Sequence, residues 1–240
     1  MKHPCGKGIA ISFLILFESL IGNQAVFAQT GCGNLNEGYG PFDYRTQRNE
    51  LKIVEGAHFL PFVENLTRGN TSTRPGGDID YTLRASPNHH RALLAMMNLS
   101  RREKRDKPIG ARYTVACWLD RAERFAPDDA MVKSLYGTFL LQKGDKTQGA
   151  KKLEEALELA GDNANIHYNL GLAYFDLKDY DKSLASAHKA YQLGFQLPGL
   201  RNKLEKAGHW RELPPKVIAA EETPAKPAEA AEPAAEKKAD

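Results

Sequence analysis

The chain has 240 residues, with 33 Lys and Arg against 30 Asp and Glu and a net charge of +3. That near-neutral balance gives no case for a nucleic-acid surface or an acidic substrate channel, and the length suffices for one domain with a real core. The sequence holds no paired Cys spacing, His-x-x-x-His, Gly-x-Ser-x-Gly, phosphate loop or dinucleotide fingerprint, so no metal, cofactor or catalytic residue is expected from motifs.

The N-terminus reads as a signal peptide over 1–28. Lys2, His3 and Lys7 form a basic start, and an apolar run from Ile9 to Ile21 follows, broken by Ser12, Glu18 and Ser19. Ala25-Val26-Phe27-Ala28 then offers the small residues of a cleavage site, so Gln29 is expected to begin the mature chain. A membrane anchor is the alternative. Its apolar run is short for a span, and Glu18 sits inside it. A lipid anchor on Cys32 is a third reading, against which Gln29-Thr30-Gly31 lacks the aliphatic residue of a sequence resembling a lipoprotein signal. Residues 29–55 follow no repeat pattern and are expected to be irregular. Residues 56–89 suggest a degenerate hairpin of two short helices, Leu60–Arg68 and Asp78–Ala85, with Arg74-Pro75-Gly76-Gly77 as the turn between them.

From there the spacing becomes regular. Ala130/Ala164, Gly137/Gly171, Asp145/Asp179 and Ala156/Ala190 are all thirty-four residues apart. Units are expected at 130–163 and 164–197. In the second, Ile166, Leu170, Ala173, Tyr174 and Leu177 recur at three and four, one face of an amphipathic helix. Asp145 and Asp179 stand where they can cap second helices. One step back, 90–129 reads as a longer unit: a helix from Asn88 to about Arg102, the surplus Lys104–Gly110 as a loop, then Val115, Leu119 and Ala122 facing inward. After Leu197, residues 198–212 read as a capping helix with Leu200, Leu204 and Ala207 inward. Residues 213–240 are an Ala, Pro, Glu and Lys tail too poor in large apolar side chains to fold.

These positions resemble the tetratricopeptide repeat, and the resemblance implies an all-α solenoid of helical hairpins. The motifs Tyr39-Gly40-Pro41-Phe42-Asp43-Tyr44-Arg45, Gly76–Arg84 and Pro87–Leu93 resemble exported bacterial members. Lys133 and His167 depart from the family's usual bulky aromatic, and Gly161 and Phe195 from its closing proline. The first helix of each unit lines the concave side in this family. A partner-binding groove is therefore implied at Arg91, Leu94, Asn98 and Arg101, then Met131, Ser134, Thr138 and Leu141, then Asn165, Tyr168, Leu172 and Phe175. Leu94 stands where a clamping lysine would, which argues against carboxylate clamping. Tyr168, Leu172 and Phe175 form a second apolar stripe that must meet a partner, a neighbouring unit or the capping helix.

Loss of Cys5 with the signal would leave Cys32 and Cys117. In an oxidising compartment such a pair points to a disulfide, the alternative being a buried thiol at Cys117 and a free Cys32. The function implied is an exported scaffold or adaptor, not an enzyme, binding a protein or peptide in the cell envelope, in the periplasm if the source is Gram-negative. Nothing in the sequence indicates a membrane contact. The rival is a small metal-binding protein or enzyme built on His89, His90 and nearby acids. Adjacent helical residues point about 100° apart, which works against a shared ligand sphere.

Overall fold

The computed structural model describes residues 31–36 and 38–212. The expected signal peptide at 1–28 and tail at 213–240 lie outside the described residues. The described chain is all-helical: α1 (Arg48–His58), α2 (Pro61–Glu64), α3 (Pro75–Ala85), α4 (His90–Glu103), α5 (Val115–Phe125), α6 (Ala130–Gln142), α7 (Lys146–Ala160), α8 (Ala164–Asp176), α9 (Tyr180–Gln192) and α10 (Gly199–Lys206).

The pairs α6/α7 and α8/α9 are hairpins with short turns. Each helix starts on a residue that satisfies its free amides. Asp145 accepts from Gln148 N at 3.1 Å and Asp179 from Lys182 N at 3.2 Å, as their shared spacing predicts. Gly137 allows the first hairpin to close. A Cβ there would lie 2.8 Å from the Leu153 side chain and 2.9 Å from the Gly149 carbonyl. At Gly171 a Cβ would meet Leu200 of α10 at 2.5 Å, while the Gly171 carbonyl accepts from Ser183 Oγ at 2.8 Å. The loop after α4 begins with Lys104 in the left-handed region, φ 52°, and runs to the Thr114 cap of α5.

Lys133 replaces the aromatic of the repeat with a charge square. Lys133 and Lys152 each donate to both Glu123 and Glu155, at 2.7–3.1 Å, tying α5, α6 and α7 together.

The N-terminal third differs from its sequence reading. Residues 48–58 form α1, within and just past the stretch expected to be irregular. Leu51 and Val54 are buried one turn apart, while Ile53 on the other side is 71% exposed and blurs the period. The expected helix Leu60–Arg68 shortens to Pro61–Glu64. Pro75-Gly76-Gly77 is the first turn of α3 rather than a turn between helices, because proline at the first helical position lacks only an amide that would be unpaired there. In the capping helix, Leu200 and Leu204 are buried as expected, but Ala207 is exposed. Apolar side chains gather in three clusters along the chain, over α2–α6, over α7 and α8, and between α8, α9 and α10.

Candidate binding groove

The first helices of successive units, α4, α6 and α8, lie side by side, with α6 touching both neighbours. Along this face the twelve implied residues divide into open and closed sets. Leu94 is 46% and Met131 39% exposed, a large apolar side chain on each of two adjacent helices. Beside them Arg91 is held by Glu64, with Nε donating to Oε1 at 2.8 Å, and Arg101 donates to Asn98 at 3.1 Å. Asn165 is exposed on α8. Ser134 is buried, and the Thr138 hydroxyl donates to its carbonyl at 2.9 Å. Leu141 packs onto Gly149 of α7. Ser134 and Leu141 therefore belong to the hairpin interior rather than to a groove.

Tyr168, Leu172 and Phe175 are likewise committed. They pack with Leu200, Leu204 and Ala187 in the cluster under α10. Tyr168 stacks on Phe195 at 4.1 Å, and Phe175 meets Tyr180 edge-on at 5.5 Å. The capping helix is what covers the second apolar stripe of α8, so the open surface is confined to α4, α6 and the start of α8. Phe175→Ala is expected to lower stability by about 2–4 kcal/mol, somewhat below a fully buried Phe. Urea unfolding measures it, and an unchanged midpoint would return the stripe to the groove.

The Asn88-His89-His90 run is the centre of a polar lock that sequence reasoning did not find. Tyr44 N donates to Asn88 Oδ1 at 3.0 Å. Asn88 Nδ2 donates to Asp43 at 2.8 Å and to Asp129 at 3.0 Å. His89 is fully buried. Its Nδ1 accepts from Ala92 N at 3.1 Å, capping α4, and its Nε2 meets Glu55 of α1 at 2.9 Å. His90 Nε2 lies 2.8 Å from Asp129, which also caps α6 by accepting from Met131 N at 3.0 Å. Both ring nitrogens of His89 are thus occupied, and neither is free to hold a metal ion. The one cue in sequence is the cluster of uncommon motifs, two of which touch here across 44–45 residues.

Electrostatics follow from this packing. The hydrogen bond from Arg45 holds the Asp43 carboxyl far below the usual carboxylate range. Burial alone would raise Asp129, but the hydrogen bonds from His90 and Asn88 hold it down. Burial, with the Arg91 charge nearby, pushes His89 to about 3. The unfolded chain takes up a proton on this His near 6.5, whereas the folded chain does not until about 3. Stability is therefore full above about pH 6.5 and falls as pH drops, by at most about 1.4 kcal/mol per pH unit. His167, also held low by burial, adds in the same direction. His89→Asn, which can still cap α4, is expected to remove most of this slope between about pH 6.5 and 4, read from urea midpoints.

Cys32 and Cys117 form a disulfide across 85 residues. Next to it, buried Arg121 donates to the carbonyls of Cys32 and Asn34 at 2.8 and 2.7 Å and lies over the Tyr113 and Trp118 rings. The disulfide and this arginine seat the N-terminal segment on α5.

Among protein families, the one described as TPR repeat matches residues 137–178 and the one described as Tetratricopeptide repeat matches 164–194. No curated protein matches the chain. Solved structures that resemble it include MamA MSR-1, with 14% identity, 50% of this chain and 65% of that one covered, and a TM-score of 0.38. They also include a MamA RS-1 double mutant, with 18% identity, coverage of 50% and 64%, and a TM-score of 0.40. A further crystal structure of MamA gives 21% identity, coverage of 55% and 81%, and a TM-score of 0.40. The chain spans less than two thirds of the length of the first two.

Proposed function

Because the chain belongs to the tetratricopeptide repeat superfamily, we propose that it is an exported scaffold of the cell envelope, binding a protein partner along the open face of α4 and α6. The observation that carries this reading is the pair Leu94 and Met131, exposed apolar side chains on adjacent first helices, flanked by Arg91, Asn98 and Arg101. An apolar centre with a polar rim is the composition of a protein interface. Helical repeats supply such a face without chemistry of their own, and the reading includes no catalytic step.

Export rests on the basic, apolar and small order of residues 1–28 and on the disulfide, which persists in oxidising compartments. In a Gram-negative source the compartment is the periplasm. Two measurements test the proposal. Mass spectrometry of the secreted chain should find Gln29 at its N-terminus; an intact Met1 would overturn export, and a lipid on Cys32 would overturn both the Gln29 start and the disulfide. Affinity capture from envelope extract should recover a partner that Leu94→Glu loses while its melting temperature holds. Equal recovery by the variant would remove this face from the function.

A further inference from the structure

The Cys32–Cys117 disulfide borders an open cleft of about 630 Å³. Ala116, Tyr136, Phe139 and Leu140 wall it, so a molecule approaching the bridge meets an apolar slot and not closed core. Cys32 is 3% exposed, whereas Cys117 is only partly buried. A bridge sealed from solvent is reduced only when the chain unfolds, but one that borders a cleft is open to attack in the folded state.

Both sulfurs stand where a thiolate is favoured. Cys117 lies in the first turn of α5, where the helix dipole stabilises negative charge. Arg121 donates to the Cys32 carbonyl at 2.8 Å, which sets a guanidinium beside Cys32. The segment held by the bridge is lightly attached. Among the described residues from 31 to 40, Cys32 alone is buried. Two Arg121 hydrogen bonds and a longer one from Arg124 to the Gly33 carbonyl, at 3.4 Å, join this segment to α5. The next buried side chain is Tyr44.

We propose that this disulfide is a thiol–disulfide exchange site whose substrate is a dithiol reductant, and that its reduction unclasps residues 31–36 while the repeats stay folded. The inference is independent of the α4–α6 face. One thiolate of the dithiol attacks Cys117 Sγ through the cleft. The S–S bond breaks, and Cys32 departs as a thiolate beside Arg121. The second thiolate of the dithiol then attacks its partner sulfur in the mixed disulfide, and Cys117 departs at the start of α5. The dithiol ends as a disulfide, having passed two electrons to this chain. Each cysteine takes up one of the two protons that the dithiol has lost. A leaving sulfur of lowered pKa departs faster, which is what Arg121 and the α5 dipole supply.

Reduction of the oxidised chain by dithiothreitol at neutral pH tests this, with free thiols counted by alkylation and mass spectrometry. A Cys5→Ser background leaves only these two cysteines. The rate should be first order in dithiothreitol and unchanged from zero urea to the foot of the unfolding transition, since no unfolding is needed. With glutathione in its place, the trapped mixed disulfide should sit on Cys117. Ala116→Trp, which fills the slot, should slow reduction at least about tenfold with its melting temperature held. The reduced chain should keep its helical circular dichroism, while chymotrypsin cuts after Tyr39 at least about tenfold faster. A rate that climbs with urea in step with global unfolding overturns the proposal, as does a glutathione adduct on Cys32. So does reduction indifferent to Ala116→Trp, or a reduced chain that loses its helices or is cut no faster at Tyr39.

Discussion

Replacing Cys32 and Cys117 together with serine is expected to lower the unfolding free energy by about 2–4 kcal/mol. The bridge closes a loop of 85 residues. Removing it restores the entropy of the unfolded chain, and the chain-entropy relation puts the upper end near 4.6 kcal/mol for that length. The folded state loses as well. The Cys32 and Asn34 carbonyls that receive Arg121 are positioned by this tether, and Arg121 is fully buried. A buried guanidinium whose acceptors become mobile is poorly compensated. Chemical denaturation of the oxidised chain, the reduced chain and the serine variant measures the effect. The last two should agree, and a difference below about 1 kcal/mol from the oxidised chain would show that the segment is held by other contacts.

Asp129→Ala is expected to destabilise the chain by about 3–5 kcal/mol. Asp129 is 2% exposed. It accepts from Met131 N and Val132 N at the start of α6, from Asn88 Nδ2 and from the His90 ring, and Arg45 Nε lies 3.6 Å away. Deleting the carboxylate uncaps α6, takes one of its two acceptors from the buried Asn88 amide and leaves the half-buried His90 ring without its partner. Asp129→Asn keeps the cap and one amide contact, so it should recover part of the loss. Urea midpoints at neutral pH give the order wild type, Asn, Ala. An Ala variant within about 1 kcal/mol of wild type would mean the lock contributes little.

The hairpins α6 to α9 were legible because their information is local. Three- and four-residue apolar spacing, the glycines at 137 and 171 and the caps Asp145 and Asp179 all act within one unit, and the structure puts the helices there. Helix α1 was not legible because only Leu51 and Val54 mark its buried face, against exposed Ile53, and it is held by distant groups such as His89 on Glu55. The same limit governed the groove. An apolar stripe at Tyr168, Leu172 and Phe175 looks alike whether a partner or α10 covers it, and α10 lies about two dozen residues further on. His89 and His90 resembled ligands in sequence because their partners Glu55 and Asp129 lie 34 and 39 residues away.

The central claim is that the α4–α6 face engages a protein partner. Site-specific photo-crosslinking tests it most directly, with a benzophenone amino acid placed singly at Leu94, at Met131 and, as an exposed apolar control, at Leu159. Irradiated in intact cells, the Leu94 and Met131 proteins should give the same discrete higher-mass adduct, and the Leu159 protein should give none. Absence of an adduct at both positions, or equal adducts at all three, would contradict the account.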